Sequence, residues 1–371
     1  MASVTGQATS YDLTNGLIVN IDEAIYMYSP EELPLLTGMG ADGMSVLSSG
    51  PVDQIEFNWL DERNLAPRSA LAGAATTGDT GILVTAGDQV KFSTGDVLTI
   101  RKAGASETVR VTGYSVTTAD TLLISRALTG TATNYASGAV VIGLGTALAE
   151  GSDPENFRAD DTTKATNCTQ IFGPTKIEMS GTSLVVPRYG IPDQWAHQLH
   201  LRTYENAQAR EQALIYGQYY NSTTTKIRTT GGMSSFISTN VDSTSTQLTV
   251  LKIQTNQQVT YNAGGMPDRL MANPASLIDL NDVGNSSIVR TTLEDSKRGR
   301  IRVSYVETEF GSLPIVRNRW VHPFDAFAFK RDLVKRRIMR PLVFEGLAKT
   351  GDSVKGQIVC EEGLQVKGQK H

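Results

Sequence analysis

The 371-residue chain predicts an α+β fold that carries a small all-β domain as an insertion. Three observations point to it. The run VDQIEFNWL at 52–60 alternates strictly, with Ile55, Phe57 and Trp59 on one side and Gln54, Glu56 and Asn58 on the other. That is the period of a strand with one apolar face. Residues 68–152 contain no Trp, His or Cys and break into short β-rich runs separated by Gly87-Asp88, Gly95-Asp96, Gly104 and Gly130. Residues 193–217 open on Asp193, a good helix N-cap, and reach Gly217 without a breaker, about 24 residues or roughly 36 Å of helix.

The elements follow in order. Residues 1–30 carry little periodic signal and read as an arm, although Ile18, Ile21, Ile25 and Tyr28 at spacings of three and four predict a short helix at 21–28. The strand at 52–60 has a candidate partner far downstream in KIEMS, where Ile177 and Met179 share a face. Between them, runs at 82–84, 97–100, 108–111, 122–124 and 140–142 predict a barrel or sandwich. Ala-Gly-Ala-Ala at 72–75 and Gly151-Ser-Asp-Pro154 flag its bounds. The helix at 193–217 has only a thin stripe, Ala196, Leu199, Thr203, Ala207, Arg210 and Leu214, with Leu201, Tyr204 and Ile215 on another side. Such a helix lies across a sheet instead of inside a core. After a Thr-rich linker at 221–230 come a helix at 248–261 ended by Gly264-Gly265, a strand at 269–272 and a helix at 275–280. Strands at 302–306 and 315–319 follow, then a tail of strand-like runs at 327–329, 337–344, 357–360 and 364–367.

Composition excludes several function classes. Lys plus Arg is 34 and Asp plus Glu is 38, a net charge of −4, so the chain is not one held to nucleic acid by charge alone. Two cysteines, Cys168 and Cys360, exclude a disulfide scaffold and a four-cysteine zinc site. With 34 glycines, about 9% against a usual ~7%, turns and short strands are favoured over long helices. No run approaches the ~18 apolar residues of a membrane helix. No basic segment followed by an apolar one opens the chain, which reads as made in the cytoplasm. The sequons at Asn167, Asn221 and Asn285 then carry no information.

Motifs for chemistry are weak. Gly38-Met-Gly40-Ala-Asp-Gly43 matches the dinucleotide fingerprint in letters, but Glu31, Glu32 and Pro34 stand where a strand is needed, so it reads as a loop. His197 and His200 are three apart with Glu205 beyond them, not the four-residue spacing of a helical metal pair. No G-x-S-x-G elbow is present, and both cysteines read as plain thiols. No catalytic residue, cofactor or metal is expected. Two basic clusters remain: Lys297, Arg298, Arg300 and Arg302, and Lys330-Arg331 followed by Lys335, Arg336, Arg337 and Arg340. They read as a solvated face, as ion pairs between subunits, or as weak contacts to phosphate, since no aromatics interleave for base stacking.

The order of pieces carries a resemblance. The residues are 55–60 (IEFNWL), Asn167-x-Thr-Gln-Ile-Phe172, Glu178-Met-Ser-Gly-Thr182, Tyr189-Gly190, Gly231-Gly-Met-x-x-Phe-Ile237 and Ala348-Lys-Thr-Gly-Asp352. Together they resemble the tailed-bacteriophage major capsid proteins of the Hong Kong 97 fold, in a branch with a β insertion in the extended loop. The resemblance implies an N-terminal arm with a short helix at 1–50, an extended loop at 51–67 and 153–190, and the inserted domain at 68–152. It implies a peripheral domain at 191–230 and 323–371 that contains a long spine helix, and an axial domain at 231–322. It further implies a non-enzymatic head protein that assembles with itself into hexamers and pentamers around double-stranded DNA. Portal, scaffolding and decoration or head-fibre proteins would be partners, the virion its place and the host bacterial cytoplasm its site of synthesis. No long scaffolding helix precedes the arm, so scaffolding would come from a separate protein. The alternatives are a β-rich phage adhesin, fibre or surface-binding protein, and a nucleotide-dependent enzyme built on Gly38, Gly40 and Gly43.

Elementary packing leads the same way. A two-stranded ribbon is marginal alone and cannot bury Ile55, Phe57 and Trp59, each worth roughly 1.5–3 kcal/mol when covered. The expectation is that Ile55, Phe57, Trp59, Ile177 and Met179 are covered by a neighbouring copy.

Overall fold

A computed structural model describes residues 33–36, 47–63, 67–102, 104–151, 161–188, 190–243, 247–283 and 305–368. The expected helix at 21–28, the glycine motif at 38–43 and the cluster Lys297, Arg298, Arg300 and Arg302 lie outside them. The chain divides into two compact units: Leu60–Lys164, and Met1–Trp59 with Ala165–His371.

The first strands are β1 (Ser48–Pro51) and β2 (Glu56–Arg63). The alternating run at 52–60 is therefore broken, and Ile55 falls in the break, outside either strand. Pro51 has no N–H to continue a ladder.

Six strands then form a sheet: β3 (Arg68–Ala70), β4 (Gly81–Leu83), β5 (Asp96–Lys102), β6 (Ala105–Tyr114), β7 (Thr121–Thr129) and β8 (Val140–Thr146). Their spatial order is β3-β8-β5-β6-β7-β4. The two outer strands meet each other just past their ends. Leu71 bridges Val84, the Ala72 N–H donates to the Leu83 carbonyl at 2.9 Å and the Thr85 N–H to the Ala70 carbonyl at 3.0 Å. The sheet thus closes into a barrel, which resolves barrel against sandwich and removes the edges a flat sheet would expose. Alternate residues fill the inside: Leu98, Ile100, Val109, Val111, Leu122 and Val141 are buried, with Phe92 among them. One charged pair sits with them. Arg126 reaches Glu107 through two bonds, 3.0 Å and 2.6 Å, and the Ala127 and Thr133 N–H groups also donate to that carboxylate.

The chain continues as β9 (Asp161–Cys168), which pairs with β2 in a two-stranded ribbon, and β10 (Gln170–Ser180). A short helix, α1 (Gly181–Val185), leads to α2 (Gln194–Tyr216). Asp193 caps α2 as predicted, its Oδ1 accepting from the Trp195 and Ala196 N–H groups. The stripe is thin because the buried face is largely polar: Asn206, Arg210 and Glu211 are buried beside Leu214 and Ile215.

Next come the hairpin β11 (Tyr220–Asn221) and β12 (Arg228–Thr229), the short α3 (Met233–Phe236) and α4 (Val250–Asn262). They are followed by β13 (Arg269–Ala272), α5 (Pro274–Val283), β14 (Tyr305–Thr308), β15 (Gly311–Arg317) and β16 (Ala326–Phe329). The last four strands form one sheet in the order β14-β15-β13-β16. Val250, Ile253, Leu277 and Leu280 of its two helices share a core with Leu270, Ala272, Val306, Leu313 and Ile315.

The tail is two long strands, β17 (Val334–Leu347) and β18 (Ser353–Val366), where the sequence had suggested several short ones. They complete a sheet of order β1-β17-β18-β10, with β1 parallel to β17 and the rest antiparallel. The expected partnership of the 52–60 and KIEMS strands is corrected here. The partner of β2 is β9, whereas Ile177 and Met179 lie in β10 opposite Gly356 and Val354 of β18. A second core joins Leu33, Leu35, Leu36 and Leu47 to Leu214, Ile215, Met233, Met271, Val334 and Leu364.

Candidate assembly site

Where β9 turns into β10, the run Asn-Cys-Thr-Gln supplies polar side chains that tie the ribbon to the body. Asn167 is fully buried. Its Nδ2 donates to the carbonyls of Gly231, at 3.0 Å, and Leu364, at 2.6 Å, while its Oδ1 accepts from the N–H groups of Gly231, at 2.8 Å, and Cys168, at 2.9 Å. The Thr169 N–H donates to the Ile55 carbonyl at 2.8 Å, and its hydroxyl to Glu361 Oε1 at 2.8 Å. Gln170 Oε1 accepts from the Thr230 N–H. The glycine pair is needed for this approach: a Cβ on Gly232 would stand 2.7 Å from the Ala213 carbonyl oxygen at the end of α2.

Beneath lies a network of ions. Glu361 and Glu362 of β18 are buried side by side in sequence. Arg210 of α2 grips Glu362 with two bonds, 2.8 and 3.0 Å, and Arg336 stands 3.8 Å from it. Glu361 is held by Arg228 of β12 at 2.6 Å and by Arg340 of β17 at 3.0 Å. Buried carboxylates demand such partners, because an unpaired charge in the interior is far costlier than the pair. Arg337 donates to Gln365 at 2.9 Å. Arg336, Arg337 and Arg340 of the expected lumen or interface cluster are thus tied within their own sheet, and Lys335 is half-buried opposite Gln365.

One carboxylate differs. Glu211 is fully buried and accepts from the N–H groups of Leu35, at 3.0 Å, and Leu36, at 3.2 Å, and from Asn318 Nδ2 at 2.8 Å. Burial pushes its pKa up to about 7, against the lowering effect of those donors and of Arg336. Burial also raises both thiols, Cys168 and Cys360, to about 11, which leaves them unreactive at neutral pH. Among the described residues no three metal-ligating side chains gather, and no helix is long and apolar enough to cross a membrane. His200 packs its ring against Tyr204.

The expected covering of the apolar residues needs correction. Phe57 and Trp59 are buried by their own chain, at 8% and 5% exposure, against Ala165, Val52 and Phe236. Trp59 meets Phe236 edge-on at 5.6 Å. Ile177 is buried too. Met179 is half-buried beside a cavity of about 380 Å³ that Lys176, Arg188, Gln194 and His197 also line. Of the expected five only Ile55 stays exposed, and around the ribbon base Ile171, Tyr219, Tyr220 and Ile227 are exposed with it, all above 40%. The segments carrying them are joined around the ribbon base by bonds from Tyr219 and Asn221 to Glu56, from Thr169 to Ile55, and from Arg228 to the Thr169 carbonyl. Of these, sequence reasoning found only Ile55. The others sit in an irregular Thr-rich stretch and a strand start, where no periodicity marks a face.

These sheets, the ribbon and the long helix make up the fold of a phage capsid subunit. The chain is similar to the capsid of Myoviridae phage XM1, with a TM-score of 0.50 at 11% identity over 96% of this chain and 97% of that one. It is equally similar to a chain of Mycobacterium phage Adephagia, with a TM-score of 0.50 at 8% identity over 97% and 92%. The particular family is narrower: the chain belongs to the SU10 major capsid protein family, matched over residues 3–371. It is a major capsid protein, a structural class and not an enzyme class. No curated protein matches it.

Proposed function

We propose that this capsid protein builds a Hong Kong 97-type icosahedral shell, its copies forming hexamers and pentamers around double-stranded DNA. The family match across residues 3–371 carries the reading. In it, residues 1–50 are the arm, 51–67 and 153–190 the extended loop, and 68–152 the inserted domain. Residues 191–230 and 323–371 form the peripheral domain with α2 as spine, and 231–322 the axial domain. The apolar residues exposed around the ribbon base support self-association: large exposed apolar patches mark interfaces. A net charge of −4, with Arg336 and Arg340 paired to glutamates, supports a lumen that holds DNA only weakly. Portal, scaffolding and decoration or head-fibre proteins complete the partners, the barrel being a platform on the outer surface.

Electron microscopy of the full chain expressed alone tests this. Closed particles of uniform diameter are the expected result. Small oligomers that bind a sugar or a protein through the barrel would instead favour a fibre or adhesin role.

A further inference from the structure

The cavity of about 380 Å³ beside Met179 lies between the second half of β10, α1 and the first turns of α2. Its wall is rich in donors. Lys176 comes from β10, Arg188 from just past α1, and Gln194, Gln198 and Arg202 from one face of α2, four positions apart. His197 stands next to that row. Cations from three segments thus meet one carboxylate among the described residues of the wall, Glu178. That carboxylate is already committed. It pairs with Lys176 and, at 3.2 Å, with Lys355 of β18, and these two ammonium groups hold its pKa down to about 2. Arg202 pairs with Glu205, outside the wall, through one nitrogen, which leaves the rest of its fork. Arg188 is exposed, and nothing among the described residues pairs with its guanidinium. The N–H groups of Trp195 and Ala196 are taken by Asp193, so a ligand here meets side chains and not the end of α2.

We propose that this cavity binds a phosphate group, held by Arg188 and Arg202 with Lys176 and His197 beside them. Arginine forks match phosphate oxygens in pairs, and charge-assisted bonds of this kind are the strong ones. A carboxylate offers its oxygens on one side only. Phosphate offers them in every direction, as donors arriving from three segments require. A group seated there bridges β10, the turn after α1 and α2, and a ligand that binds only the folded chain stabilises it. Inorganic phosphate and a nucleic-acid backbone carry the same group, and the test separates them.

The test uses the full chain. Calorimetric titration with inorganic phosphate at constant ionic strength is expected to show saturable binding. Arg188→Gln should weaken it roughly tenfold or more, the loss of one charge-assisted bond. Arg110→Gln, which removes the same charge from the exposed side of the barrel, should leave it unchanged. No saturable binding, or equal losses in the two variants, would overturn the proposal. Should Arg188→Gln fail to fold, amine acetylation of the wild type decides. Phosphate should slow labelling of Lys176 and not that of the exposed Lys226, and equal effects on both would overturn it. A short DNA duplex that displaces phosphate from the wild type assigns the group to a nucleic-acid backbone, and one that leaves it bound assigns it to a free anion.

Discussion

Asn167 and Gly231 hold each other by a reciprocal pair of bonds, the side-chain amide of one against the backbone N–H and C=O of the other, at 2.8 and 3.0 Å. Sixty-four positions apart, they join the returning ribbon strand to the turn that follows β12. Asn167→Ala strands the Gly231 N–H and the carbonyls of Gly231 and Leu364 in the interior. An unsatisfied buried group costs about 1–3 kcal/mol, so the loss is expected to be about 3 kcal/mol or more in chemical denaturation of the subunit. A loss below about 1 kcal/mol would show that the staple is dispensable.

Arg210→Met leaves Glu362 facing only Arg336, at 3.8 Å. The expected destabilisation is about 3–5 kcal/mol, the cost of an uncompensated buried charge. Adding Glu362→Gln should recover a large part of it. A double variant no more stable than the single one would mean that packing of the guanidinium, not its charge, matters.

Glu211 sets a pH dependence. Its pKa lies near 7 in the folded chain against 4.5 for the free group, so between those values the folded chain holds more protons than the unfolded one. Stability should therefore fall as pH rises from about 4.5 to about 7, by up to roughly 3 kcal/mol at 1.36 kcal/mol per pH unit. Glu211→Gln should flatten that slope. An identical slope in the variant would assign it to another group.

Trp59 and Ile55 should separate folding from assembly. Trp59→Ala opens a cavity beside Phe57 and Phe236 and should cost the subunit about 3–5 kcal/mol. Trp59→Phe should be milder, because the indole Nε1 has no partner among the described residues. Ile55→Asp, at an exposed site, should change stability by less than about 0.5 kcal/mol while reducing particle yield. Thermal melts and particle counts on the three variants check this, and a stable Trp59→Ala subunit would contradict it.

The barrel should fold by itself. Residues 60–164, expressed alone, are expected to melt in one cooperative transition, since this unit has its own closed sheet and core. Arg126→Met in that fragment should cost about 3–5 kcal/mol by leaving Glu107 unpaired. A fragment that stays unfolded would show that its core depends on the rest of the chain.

Much of this was legible beforehand, and the failures have physical causes. The Asp193 cap, the long helix and the β-rich character of 68–152 follow from local rules of capping, turns and alternation. The burial of Phe57 and Trp59 also follows from alternation, but alternation says only that a face is covered, not by what. The cover comes from Val52, Ala165 and Phe236, the last 177 positions beyond Trp59, and no local pattern reports a contact at that range. Asn167, Thr169 and Gln170 were hidden for the opposite reason: their side chains work as backbone partners, and in sequence they read as a polar loop. The basic run at 335–340 looked like a surface because charge is counted along the chain. Its partners Glu361 and Glu362 lie on the adjacent strand.

The barrel's first and last strands are neighbours, with Arg68 opposite Ile142. Chain therefore enters and leaves this module through a single doorway, two strands wide. A guest of quite different size or sequence could be spliced there without re-spacing its host, which makes this segment the natural place for divergence between related phages and for displaying foreign cargo.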